Sequence, residues 1–150
     1  VTPDRIIIHH SATPDGDTYS WGAIEDYHVI TRGWKDIGYH AGIEKVRGLL
    51  VCMYGRPNWM SGAHTVGQNS RSLGFCFVGC FDESPPPEAV LRVAARRVLV
   101  DWCITYGIEP SNIFAHRSFA NKTCPGTVFD MDLLRQIVEE ELHVATGGHR

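Results

Sequence analysis

The sequence predicts an α/β domain, a single mixed β-sheet with about three helices packed against it, and three observations carry that prediction. The first is a pair of strongly apolar, strand-length runs, Ile6-Ile7-Ile8 near the start and Leu73 to Cys80 in the middle, which read as buried strands. The second is the order of patterns along the chain, β-α-β-β-β-α-β-α, which suits one sheet covered by helices. The third is size. At 150 residues the chain fits one domain, and such a chain buries roughly 70% of its unfolded surface without help from a metal or disulfide.

Taken in order, 5–10 is a strand whose isoleucines supply β-branched bulk. Thr13-Pro14-Asp15-Gly16-Asp17 is a turn-rich loop, and Ser20 is placed to cap a helix over 21–31 that Gly33 closes. Ile24, Tyr27, His28 and Thr31, spaced by three and four, are its expected buried positions. Residues 39–46 and 49–54 form a hairpin turning at Arg47-Gly48. Residues 57–72 lack periodicity and are expected as a surface loop, and 73–81 is a second buried strand. Three prolines, 85 to 87, lead into a helix over 88–106 with Leu91, Ala95, Val98 and Trp102 on one face. A short strand covers 113–116, and Asp130 caps a last helix over 131–142, with a frayed tail over 143–150. No repeat or linker interrupts the chain, so 1–150 is expected as one domain with its core over about 5–142.

Composition excludes several classes. Hydrophobic residues at 43% and charged residues at 21% argue against disorder. No apolar run approaches the roughly 20 residues of a membrane span, and no cationic segment with an apolar stretch opens the chain as a signal peptide would. A net charge of −3 gives no electrostatic footprint for nucleic acid. A monomer without stable membrane association is expected.

Five cysteines without close CxxC spacing cannot form a complete disulfide framework or a zinc ribbon. Cys52, Cys76, Cys80 and Cys103 sit in apolar stretches and read as small buried hydrophobes. Cys124 lies instead in the polar segment Asn121-Lys122-Thr123-Cys124-Pro125-Gly126, where packing does not explain it. His9 and His116 each end a predicted strand, and Cys124 follows His116 after a loop short enough to return to the same rim. Two imidazoles and a thiolate make a three-ligand set for zinc that leaves a fourth position open, the pattern of catalytic sites. Two other readings stay open on the residues alone: Cys124 as a nucleophile with His116 as its base, or two packing histidines beside an incidental cysteine. His10 points away from His9, because side chains alternate along a strand. Lys122 is either a solvated charge or, beside a metal, a stabiliser of a developing oxyanion.

The segment 6–13, Ile-Ile-Ile-His-His-Ser-Ala-Thr, resembles the opening strand of zinc-dependent N-acetylmuramoyl-L-alanine amidases. That family includes small bacteriophage lysozymes of the amidase type and peptidoglycan-recognition proteins. Gly33-Trp34 with Asp36-Ile37-Gly38-Tyr39-His40, then Ser61-Gly62-Ala63-His64, Asn69-Ser70-Arg71-Ser72-Leu73-Gly74, Val78-Gly79, His116-Arg117 and Lys122-Thr123-Cys124-Pro125-Gly126 continue the likeness in order. It runs from about Ile6 to Leu134. The resemblance implies that His9, His116 and Cys124 hold one Zn²⁺ and that Tyr39 and Lys122 line the reacting centre. One branch of the family uses a glutamate in the strand where this chain has Cys76, so Tyr39 stands as its replacement, as in the phage branch. His64, Trp34 and Asn69 are expected to touch substrate, with Trp59 a further candidate for the groove wall, and His40 is expected to pack behind the site. Arg92, Arg96 and Arg97 are expected on a solvated helix face open to an anionic wall. The implied substrate is bacterial peptidoglycan, cleaved between N-acetylmuramic acid and L-alanine. The expected setting is phage lysis from the host cytoplasm, with a bacterial recycling amidase or a non-hydrolytic recognition module as alternatives.

Overall fold

The computed structural model describes residues 2–13 and 21–147, so the expected turn at 14–17 and the Ser20 cap lie outside the described residues. Five strands, β1 (Arg5–His10), β2 (Ala41–Val46), β3 (Leu49–Tyr54), β4 (Ser72–Phe77) and β5 (Ile113–Ala115), form one sheet in the order β3-β2-β4-β1-β5. β2 and β3 pair antiparallel, while β1 runs parallel to both β4 and β5 and β2 runs parallel to β4, so the sheet is mixed as expected. The hairpin turns at Arg47 and Gly48, whose φ values of 52° and 81° match the twist of the flanking strands.

The sheet separates two environments. Ile6, Ile8, Ala41, Ile43, Leu73, Phe75 and Phe77 face one side, and all are buried there with Leu91, Val98, Leu99, Trp102, Leu134 and Val138. The covering elements are α2 (Glu88–Ala94) and α3 (Val100–Tyr106), joined by a π turn (Ala95–Leu99), and α4 (Met131–Ala145). Gly107 ends α3 in the left-handed conformation, and the Asp130 side chain accepts the Leu133 N–H at 2.9 Å as the cap of α4. Arg92 and Arg96 do not form an open basic face. Each donates to Glu141 of α4 at 2.7 Å, because a carboxylate on the packed side of α4 needs charge partners. Arg97 remains exposed.

On the other side, Trp21, Ile37, Cys76 and Val78 form a smaller cluster. The helix α1 (Trp21–Asp26) docks here, its first N–H donated to Glu44 on β2 at 3.0 Å. Beyond Asp26 the chain widens into a π turn (Tyr27–Thr31), with Arg32 N–H bonded to the Tyr27 carbonyl at 2.9 Å. The extra residue per turn breaks the 3.6 period. Tyr27 is therefore 51% exposed and Thr31 is exposed, contrary to expectation, while His28 is half-buried. Cys80 is exposed and Cys52 half-buried rather than buried, and all five cysteines are free. β4 ends at Phe77, and Tyr39 and His40 precede β2.

Candidate active site

His9 sits at the C-terminal end of β1, opposite Cys76 of β4, on the face away from the large apolar core. β5 runs beside β1 and delivers His116 into a 3₁₀ turn (His116–Ser118) at the same end of the sheet. The loop that follows returns Cys124 to that rim. Arg117 holds it from inside, donating its N–H to the Cys124 carbonyl and its guanidinium to the Gly126 carbonyl, at 2.8 and 2.7 Å. Asp82 holds it from outside, accepting the Thr127 N–H at 2.9 Å.

The ligand atoms of His9, His116 and Cys124 lie within 4.8 Å of one another. Cys124 Sγ is 3.7 Å from His9 Nδ1, close to the ~3.5 Å edge that tetrahedral Zn–S and Zn–N bonds would span. The His10 backbone N–H points at Cys124 Sγ from 3.4 Å, a donor suited to a thiolate. The set is two borderline nitrogen donors and one soft sulfur, with room on the cleft side for a fourth ligand, so the residues fit a catalytic divalent metal.

Electrostatics agree. Burial, then the neighbouring His64 and His116, push His9 well below the ordinary histidine range, so it stays neutral. Burial, then Lys122, lowers His116. Burial pushes the Cys124 thiol up to about 11 despite the His10 N–H and Lys122, so without a cation it is protonated at neutral pH. That disfavours Cys124 as a free nucleophile, which needs a thiolate.

These groups form the floor of a cleft of about 600 Å³. Tyr39 lines it, its ring centroid 5.1 Å from that of His9. Burial, then Cys76 and Cys124, holds its phenol well above 10, so it is a neutral donor. Lys122 stands exposed at the rim, its charge bearing on both His9 and His116. Trp34 forms a wall, packed against His28 at 4.6 Å and beneath Arg32 at 5.0 Å. Trp59 is 68% exposed and is not among the cleft-lining residues.

His64 and Asn69 also line the cleft but are committed elsewhere. His64 Nδ1 lies 2.9 Å from His9 Nε2. Asn69 Oδ1 accepts the backbone N–H groups of His64 and Thr65 at 2.8 and 2.9 Å. His40 packs behind, its Nε2 on the Met60 carbonyl and its Nδ1 accepting the Gly74 N–H. Sequence reasoning missed His28 and Arg32 as wall residues. The helical period assigned His28 to the core, and only the π turn brings it to the cleft, where Gly38 N–H fixes its Nδ1 at 3.0 Å.

Residues 1–127 match the N-acetylmuramoyl-L-alanine amidase family. The chain is 31% identical over 149 residues to the endolysin of Enterobacteria phage T3, covering 98% of this chain and 93% of that protein. It is 33% identical over 129 residues to peptidoglycan-recognition protein LB of Drosophila melanogaster, covering 81% of this chain but only 53% of the fly protein. It thus spans about half the length of that relative and nearly all of the phage one. Among solved structures, the N-acetylmuramoyl-L-alanine amidase LysC of Clostridium intestinale superposes with a TM-score of 0.73 at 26% identity, covering 92% of this chain and 86% of that one.

Proposed function

Because the chain belongs to the N-acetylmuramoyl-L-alanine amidase family, we propose that it hydrolyses the amide between the lactyl group of N-acetylmuramic acid and L-alanine in bacterial peptidoglycan, as a phage endolysin does. The observation that carries the reading is the convergence of His9, His116 and Cys124 donor atoms within 4.8 Å at the floor of a cleft. Three protein ligands and an open position are the donor set of a hydrolytic zinc site.

His9, His116 and Cys124 would hold the zinc. When bound, the ion supplies a Lewis acid for the scissile carbonyl and lowers the pKa of water toward about 7. Tyr39 remains a neutral phenol beside His9, so it orients the attacking water by hydrogen bonding and does not act as a bulk base. Lys122, at the rim above both imidazoles, pairs with the oxyanion of the tetrahedral intermediate. Water adds across the bond, giving a lactyl carboxylate and a free alanine amine. Trp34, stiffened by His28 and Arg32, supplies a flat apolar wall for the glycan or peptide stem. Among the described residues no helix is long and apolar enough to cross a membrane, and the proposed site of action is the cell wall.

The test is release of new amino groups and reducing ends from purified peptidoglycan, with chelator and with zinc added back. L-alanine amines without new reducing ends, lost to chelator and restored by zinc, are expected. Amine release indifferent to chelator would revive the cysteine nucleophile, and wall binding without release would make the protein a recognition module.

A further inference from the structure

We propose that His64 is a positioning residue for His9, acting through a one-way hydrogen-bond chain that fixes which ring nitrogen of His9 faces the metal. The proposal rests on the metal-centre reading above and deepens it.

The direction of the chain follows from its far end. The Ser72 hydroxyl donates its single proton to the Gln68 carbonyl at 2.7 Å. Towards His64 Nε2, 3.3 Å away, Ser72 Oγ can therefore only accept. His64 then carries its proton on Nε2 and presents a bare Nδ1. Two bare ring nitrogens 2.9 Å apart would repel, so His9 Nε2 carries the proton between them, and the Thr65 hydroxyl closes the triangle, 2.9 Å from His64 Nδ1 and 3.3 Å from His9 Nε2. His9 is thereby set with hydrogen on Nε2 and a free lone pair on Nδ1, the nitrogen that lies 3.7 Å from Cys124 Sγ. A ligating imidazole whose second nitrogen donates to a fixed acceptor is held in orientation and made a better base.

The His64 ring has no freedom to do otherwise. A Cβ on Gly62 would lie 2.5 Å from its Cδ2, and one on Gly74 would lie 2.6 Å from the same atom. The ring is wedged flat against two stretches of backbone that only glycine leaves open. Asn69 fixes the backbone beneath it through the His64 and Thr65 N–H groups. The segments 61–64 and 69–74 thus act as one mount for the ring of a residue that is only 9% exposed. This differs from a substrate contact, which would need a ring nitrogen turned to the cleft.

The experiment measures zinc affinity of the full chain by competition with a chromophoric chelator, beside KM and kcat on peptidoglycan fragments, for wild type, His64→Leu, His64→Asn and Ser72→Ala. His64→Leu is expected to weaken zinc binding by about 10- to 100-fold. His64→Asn, whose amide oxygen can stand where Nδ1 stood, is expected to recover much of that loss, and Ser72→Ala to lose a few-fold. Unchanged zinc affinity with a raised KM in His64→Leu would overturn the proposal in favour of substrate contact. His64→Asn binding zinc as weakly as a folded His64→Leu would overturn it also. Should His64→Leu fail to fold, Ser72→Ala decides, and wild-type zinc affinity in that variant overturns the proposal. A wild-type chain that takes up no zinc would overturn the metal centre itself, a result distinct from all of these.

Discussion

The two faces of β1 are made of alternate residues of one six-residue strand and obey opposite rules. Ile6 and Ile8 enter a cluster where Phe75 stacks edge-on against Phe77 at 5.0 Å and Trp102 at 6.1 Å. Non-directional burial holds that side together, and many contacts share the load. Across the sheet, His9 leans on His64, His116 and Tyr39, with ring centroids 4.9, 4.5 and 5.1 Å away. His9 and His64 are buried and His116 and Tyr39 half-buried, and each is kept only while its particular partner is in place. One face supplies stability, and the other uses it to keep neutral imidazoles and a thiol in contact.

The sharpest test of that division is a crossed pair of substitutions. Phe75→Ala on the apolar face is expected to cost about 3–5 kcal/mol of unfolding free energy, with zinc affinity of the folded protein unchanged. Lys122→Ala at the cleft rim is expected to leave stability within about 0.5 kcal/mol while lowering turnover by about 10²–10³. Urea melts and amidase rates measure the two. The comparison breaks if Phe75→Ala loosens the metal as much as it loosens the fold, or if Lys122→Ala keeps its rate.

How much of this was readable in the chain divides along the same line. The strand at 5–10, the Arg47-Gly48 turn and the Asp130 cap follow from local chemistry, and each lies where the residues indicate. The convergence of His9, His116 and Cys124 was legible because strand ends and a short return loop constrain it. His28 was not, since a π turn is invisible to a 3.6-residue period. Nor was the His64 relay. Its members, at positions 9, 64, 68 and 72, meet only through the parallel pairing of β1 with β4. The Arg92 and Arg96 pairing with Glu141 likewise joins two helices far apart in sequence.

A change of pH separates the faces without mutation. His9, His40 and His64 are held below 6.5 by burial, His64 at about 3. Below about pH 6.5 the unfolded chain takes up protons that the folded chain refuses, so stability falls as pH falls. His64 contributes a loss of about 1.4 kcal/mol per pH unit, or about 2 kcal/mol between pH 6.5 and 5, and His9 and His40 act in the same direction. For His64 the loss continues toward pH 3, while Glu141, lowered by Arg96 and Arg92, keeps its charge throughout the upper part of that range. Urea midpoints of the metal-free protein at pH 7.5 and pH 5 measure it. Equal midpoints would mean that the imidazoles are not sealed from solvent protons.

The smallest expected effect lies on the helical side, where polar groups are also present but at its margin. Glu141 is 8% exposed, yet its partners Arg92 and Arg96 are 27% and 60% exposed. Glu141→Gln removes the charge and keeps an acceptor for one guanidinium. Water and salt already screen that pair, so the loss should be no more than about 1 kcal/mol. It should shrink further near 1 M salt, where the screening length falls to about 3 Å. Denaturation of both proteins at low and high salt measures the difference. A loss above about 3 kcal/mol, insensitive to salt, would mark a truly buried ion pair. The helical face would then depend on individual polar partners as the cleft does, and the contrast between the two sides of the sheet would no longer hold.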